Sequence, residues 1–407
     1  MKQSTSTKAN RWQLPDGVDQ GLPPRAQQLE RLRRDVLDLC RRWGYDLIKT
    51  PLIEFLDSLH IVPSQELVLS TFTLVDQLSG RTMGVRADIT SQAARIDAHV
   101  LQRDVPTRVC YADTVLRTRP QGQLGSRCPH LVGAELYGHS GVESDLEVIS
   151  LLLHTLEIAD IERPLLAIGH SNICRGLLQA ARLAPAEESA LFAALQNKAT
   201  ADVERLLAEA ALEPDLHEAL RQLPGLHGTA GVLVDAHRVL AAAAPPVLEA
   251  LRELETLASA LQQRFPDQRI HLDLCELRGY DYHTGVIFSA YVEGHGGAIA
   301  NGGRYDGIGG AFGRARPATG FDADLLTLLR FGRRPAAPEP CIYAPASDDP
   351  ALHDCVRRLR SEGRRVMQGF GAPHDSAAGF ECSEQLSRVD GVWQVVPVPV
   401  AASLTPR

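Results

Sequence analysis

Two carboxylates, one hydroxyl and a cluster of charged and aromatic groups stand in this chain where a polar ligand could use them. Asp88 and Thr90 lie in Arg86-Ala87-Asp88-Ile89-Thr90, just before an expected helix Ser91–Leu101 with Ala94 and Ile96 inward. Thr90 reads as the N-cap of that helix. Asp88 either stabilises the helix dipole or meets a ligand's ammonium group. Glu135 falls among apolar neighbours in an expected strand Leu131–Tyr137, and a carboxylate buried there needs a partner. Arg278, Asp281, Tyr282 and His283 precede a glycine-crowded segment, Gly294 to Gly320, that also holds Arg304, Tyr305 and Asp306. Glycine lets backbone approach a ligand closely, so these strands and turns can floor a small-molecule pocket. Arg117, Arg119 and Arg127 occupy the loop Leu116–Arg127, where they can hold an anion over a sheet or simply be solvated.

The elements that must position these groups are legible as patterns. Leu29, Leu32, Val36, Leu39 and Cys40 mark one face of a helix from Arg25 to Trp43, suited to a subunit interface or to the core. Short strands are expected at Tyr45–Lys49, Leu67–Gln77 and Thr82–Val85, the last two joined by Leu78-Ser79-Gly80. Strands at Arg108–Val115 and Leu131–Tyr137 precede a helix Glu143–Ile158. Residues 172–268 change character: alanine, leucine and glutamate with breaks at Pro185, Pro214, Pro224 and Pro245-Pro246 predict four to six helices inserted into the core. Strand pattern resumes at Ile270–Glu276, and Val286, Phe288, Ala290 and Val292 alternate with their neighbours. The expected division is a polar, unstructured stretch 1–11, a core 12–334 and a reduced C-terminal domain 335–407 with strands at Cys341–Ala344, Val366–Gln368 and Val392–Val396 and a helix Pro350–Glu362.

Composition limits the classes of function. The chain has 407 residues, 44% hydrophobic and 23% charged, as globular proteins have. A net charge of -8 argues against a large nucleic-acid surface. The expected location is the cytoplasm, since the first residues carry no apolar signal core and no apolar run reaches membrane-spanning length. Eight scattered cysteines form no CxxC pair, so neither a zinc site nor a disulfide scaffold is expected. No cofactor is expected.

Six segments, in order, resemble the histidyl-tRNA synthetase catalytic domain, a class II aminoacyl-tRNA synthetase fold. They are WGYDLIKTPLIE at 43–54, VRADIT at 85–90, TRPQ at 118–121, GAELYG at 133–138, RGYDYHTG at 278–285 and NGGRYDG at 301–307. The resemblance implies an α+β fold: an antiparallel sheet flanked by helices, with an all-helical insertion and a small α/β C-terminal domain. It also implies a histidine pocket made by Asp88, Thr90, Glu135, Arg278, Tyr282 and His283. Leu131 stands where the family has glutamine, and His283 where it usually has a second tyrosine. The two arginines that hold ATP in the family are replaced by Leu116 and Thr327, with Arg117 and Arg330 near them in sequence. ATP activation is therefore expected to be lost. The tail has nine acidic and seven basic residues and does not look like a tRNA-reading domain.

LPDGVDQGLPPRAQQLERLRR, LSGRTMGVRADITSQAARIDAH and LRGYDYHTGVIFSAYVEG resemble more closely the regulatory subunits of short-form ATP phosphoribosyltransferase, which act in the first step of histidine biosynthesis. That resemblance implies a non-catalytic, dimeric chain within a hetero-octamer. Its partner would be the short catalytic subunit and its effector histidine, with neither tRNA nor membrane bound. The alternatives are a diverged histidyl-tRNA synthetase and a stand-alone histidine sensor.

Overall fold

The apolar stripe of the first helix, α1 (Arg25–Arg42), is core: Leu32, Val36, Leu39 and Cys40 are buried against the main sheet and its covering helices. Gly44, at a positive φ of 80°, lets the chain turn out of it. The structure, a computed structural model, describes residues 12–61, 65–122, 125–277, 282–333, 340–371, 376–377 and 381–398. The expectations for residues 1–11 and for Arg278 lie outside them.

After α1 come β1 (Asp46–Leu47), β2 (Ile53–Phe55), α2 (Leu56–Leu59), α3 (Gln65–Ser70), β3 (Phe72–Val75) and β4 (Thr82–Val85). β2, β4 and β3 make a small antiparallel sheet. Leu67–Ser70 was expected to be strand but is helical. A short apolar run does not distinguish the two by periodicity, and here the Thr71 hydroxyl closes the turn on the Leu67 carbonyl at 2.7 Å. α4 (Thr90–Arg95) runs on as a π-helix, Ile96–Leu101. That wider turn changes which residues face inward: Asp97 is buried, paired with Arg316 at 2.9 Å, while Ile96 is only half-buried.

β5 (Thr107–Thr114), β6 (His130–Tyr137), α5 (Val142–Ile158) and β7 (Leu165–His170) follow. Next come α6 (Ser171–Ala181), α7 (Pro185–Gln196), α8 (Thr200–Glu209), α9 (Pro214–Gln222), β8 (His227–Gly228), α10 (Val232–Val239) and α11 (Pro245–Arg264). Proline in the first turn starts α7, α9 and α11, where its missing N–H costs nothing. β9 (Arg269–Asp273), β10 (Val286–Tyr291), β11 (Ala300–Arg304), β12 (Ala318–Asp324) and α12 (Leu325–Phe331) complete this unit.

Nine strands form one mixed sheet among the described residues, in the order β1-β5-β6-β12-β11-β10-β7-β9-β8. The β1–β5 and β7–β9 pairs are parallel and the others antiparallel. Because side chains alternate across a sheet, each strand feeds two interiors. Phe288, Phe321, Val132 and Ala134 join α1, α5 and α11 in the large core on the back. Tyr111, Leu131, Tyr137 and Tyr305 join Ile89, Ala93 and Ala94 of the α4 region in a smaller cluster on the front.

The chain divides at Arg334/Pro335 into two compact units. The second holds β13 (Cys341–Ala344), α13 (Pro350–Ser361), β14 (Arg365–Gln368), β15 (Glu384–Val389) and β16 (Val392–Pro397), in sheet order β14-β13-β15-β16. β15 was not foreseen: EQLSRV is polar and lies at the sheet surface except for Leu386. Asp349 caps α13 through the Ala351 N–H at 2.9 Å and also accepts from the Trp393 indole at 2.8 Å.

Candidate functional site

Register builds the site on the front face. Glu135 of β6 pairs with Gly320 of β12, which pairs with Gly303 of β11. Two residues away along the strands, Tyr111, Gly133, Asp322 and Asn301 form the neighbouring row. The glycines make room: a Cβ on Gly320 would meet the Glu135 carboxylate, and one on Gly303 would lie 2.6 Å from His283 Nε2. A carboxylate and an imidazole thus lie side by side over backbone that has no side chains of its own.

Glu135 is buried, and its donors are aromatic hydroxyls. Tyr111 donates to Oε1 at 3.0 Å and Tyr305 donates to Oε2. Tyr305 also reaches the Tyr137 hydroxyl at 3.4 Å. Burial pushes the Glu135 carboxyl up to about 8; the two tyrosine hydrogen bonds oppose this and the Asp88 charge adds to it. Burial and the nearby Glu135 charge hold the Tyr111, Tyr137 and Tyr305 hydroxyls well above their usual range, so they remain donors.

Thr90 is the first residue of α4, not its cap; the cap position is Ile89. The threonine hydroxyl instead lies 3.3 Å from the Tyr111 hydroxyl, within the Glu135 network. Asp88 accepts the Ser91 N–H at 3.4 Å and is a charge neighbour of Glu135, Tyr111 and Asp322. His283 is buried, and its ring centroid is 4.2 Å from that of Tyr282, which is 40% exposed. Asp88, Thr90 and Glu135 therefore cluster, His283 lies across Gly303 from them, and the part-exposed Tyr282 packs on the His283 ring. The His283 segment is fastened from behind by the first turns of α6. Arg175 donates to the His283 carbonyl (2.8 Å), Asn172 to that of Thr284 (3.0 Å), and the Ser171 N–H (2.9 Å) and hydroxyl (3.1 Å) both donate to that of Gly285.

Beside this pocket is an open cleft lined by Arg117, Leu131, Asn301, Asp322, Thr327 and Arg330. Leu116 is half-buried and its N–H donates to the Arg86 carbonyl; Thr327 donates to Asp324 at 2.8 Å. Neither offers a cation. Arg117 does enter the cleft, donating to the Ala87 carbonyl and Gln121, and Arg330 lies on its wall. Two carboxylates, Asp322 and Asp324, line the same cleft, so it presents no strong positive field to a polyphosphate. Burial, with the Asp88 charge behind it, raises the Asp322 carboxyl to about 7 against the pull of Arg117.

Tyr111 and Asp322 were not foreseen as site residues, and only strand register brings them in. A further hollow, at Trp43, Arg108, Glu147 and Arg264, is open, and there Arg108 and Glu147 already pair at 2.7 Å. Among the described residues no group of three or more His, Cys, Asp or Glu could hold a metal ion, and no helix is long and apolar enough to cross a membrane.

A mainly antiparallel sheet flanked by helices, with an inserted helical layer, is the build of a class II synthetase core. Residues 17–328 match the family model described as histidyl-tRNA synthetase. Residues 339–396 match that of the ATP phosphoribosyltransferase subunit HisZ C-terminal domain. The ATP phosphoribosyltransferase regulatory subunit of Thioalkalivibrio sulfidiphilus is 51% identical over 383 residues, 94% of this chain and 97% of that one. A crystal structure of an ATP phosphoribosyltransferase regulatory subunit/histidyl-tRNA synthetase from Bacillus halodurans is 25% identical, with a TM-score of 0.80 over 92% of this chain and 97% of that one. The ATP phosphoribosyl transferase (HisG:HisZ) complex from Thermotoga maritima contains a chain of similar fold, TM-score 0.56 at 18% identity over 72% of this chain and 96% of that one. The chain belongs to the family of ATP phosphoribosyltransferase regulatory subunits, as a non-catalytic partner rather than an aminoacylating enzyme.

Proposed function

We propose that this regulatory subunit senses histidine in the Glu135 pocket and passes its occupancy to the catalytic subunit of a short-form ATP phosphoribosyltransferase. The catalytic subunit needs this chain for activity, and histidine bound here inhibits it. The carrying observation is the buried Glu135, whose carboxylate accepts from the Tyr111 and Tyr305 hydroxyls and, among the described residues, pairs with no cation. In this reading Asp88 and Thr90 serve the ammonium and Tyr282 and His283 the ring, while the expected role of Arg278 lies outside the described residues. The Thermotoga maritima complex supports a catalytic partner of this kind. The assembly is a dimer of this chain within a hetero-octamer, in the cytoplasm.

Such a sensor is a coupling free energy between two sites, so the partner and histidine must alter each other's affinity by the same factor. Calorimetry of histidine on the mixed complex, with phosphoribosyl transfer assayed in parallel, tests the reading. Binding that Glu135→Ala removes together with feedback is the expected result; no binding by the parent complex overturns it. Arg117 and Arg330 in the cleft are the one observation favouring a surviving synthetase. Histidine-dependent ATP–pyrophosphate exchange should be absent, and a robust rate would establish that second reading.

A further inference from the structure

Four carboxylates gather at the front face, and three have donors within the protein. Glu135 accepts from Tyr111 and Tyr305. Asp324 accepts from the His130 N–H (3.0 Å), the Leu326 N–H (3.2 Å) and the Thr327 hydroxyl (2.8 Å). Asp88 accepts from the Ser91 N–H. No hydrogen bond reaches the Asp322 carboxylate among the described residues; it is half-buried and lines the cleft. A half-buried carboxylate with no donor of its own is open to a donor that enters the cleft.

Its position suits one particular partner. Asp322 is two residues along β12 from Gly320, over which the Glu135 carboxylate lies, and both are on the same face. Their rows are about 7 Å apart, comparable to the reach from an imidazole nitrogen of histidine to its own α-ammonium. Leu131, on the same cleft wall, can accept no hydrogen bond from an ammonium. Granted the histidine-sensing reading, on which this rests, we propose that Asp322, beside Asp88, receives the ligand's α-ammonium while Glu135 receives its imidazole. The pocket then selects for a free ammonium as well as for a ring, and Arg117 and Arg330 at the cleft wall face the α-carboxylate. The raised Asp322 carboxyl agrees: burial and the Asp88 charge outweigh the pull of Arg117.

The test is calorimetry on the full chain in complex with its catalytic subunit, with Asp322→Asn and Asp322→Ala beside the parent. The ligands are histidine, histamine (no carboxylate) and imidazolepropionate (no ammonium). Both variants should bind histidine and histamine about tenfold to a hundredfold more weakly, as loss of a charged hydrogen bond predicts. Imidazolepropionate should bind them as well as, or better than, it binds the parent, which a general collapse of the pocket would not allow. Thermal melts of both variants should be no lower than the parent's. Parent binding with variants within threefold for histidine would overturn the role of Asp322 and leave the sensing reading intact, as would equal losses for all three ligands. A parent complex that binds no histidine would overturn both.

Discussion

The two faces of the main sheet treat buried charge in opposite ways. On the back, every nitrogen of Arg304 is engaged: Asp145 takes Nε and Nη2, His139 and Gly141 carbonyls and the Ser144 hydroxyl take the rest, and Asp306 closes the set. On the front, Glu135 has hydroxyls but no cation, and Asp322 has no hydrogen-bond donor among the described residues. Charge closed by the chain's own partners holds a fold together. Charge left open weakens the fold and gains only when a partner arrives.

Breaking the back face should produce the largest effect. Arg304→Ala leaves Asp145 buried without its cation and should cost roughly 3–5 kcal/mol of stability, read as a lower midpoint in urea. Glu135→Gln, on the front, should reduce histidine affinity by about a hundredfold in calorimetry while leaving the midpoint unlowered. The contrast fails if the two substitutions destabilise equally.

The dependence of stability on pH sharpens the same contrast. In the folded chain burial pushes the Glu135 carboxyl up to about 8 from an ordinary 4.5, and that of Asp322 up to about 7 from 3.8. Between those values the folded state keeps protons that the unfolded chain has released, so stability falls as pH rises through about 4 to 8. Asp322 faces Asp88 at the foot of α4, Tyr111 on β5, Asp324 on β12 and Arg117 in the loop. Asp322→Asn should therefore raise stability at pH 8 by on the order of 1–2 kcal/mol, discounted for solvent in the cleft, with little change at pH 4. Denaturant titrations at the two pH values decide it. The smallest effect belongs to Thr90→Val, which loses one hydroxyl at the edge of the Glu135 network; about a threefold to tenfold weakening for histidine is expected.

What could be read in advance follows the same division. Glu135 was visible because a carboxylate in an apolar strand is itself a signal, and Asp88 because it precedes a helix. Tyr111 and Asp322 carry no such mark: each is one residue in a strand, and only pairing across β5, β6 and β12 sets them around one pocket. Leu116 and Thr327 could be matched to the family's arginine positions, with Arg117 one residue from the first, but that Arg117 and Arg330 would both line the cleft depended on loop and helix placement that spacing does not encode. The helical insertion was legible from its prolines, whereas Leu67–Ser70 fooled a pattern too short to tell helix from strand.

The four hydrogen bonds from Ser171, Asn172 and Arg175 have a mechanical consequence. The backbone bearing the pocket imidazole is bolted to the opening turns of the inserted helical layer. Nothing can drag the one without either shearing those bolts or hauling the other along, so the ligand's grip and the posture of distant helices are geared together.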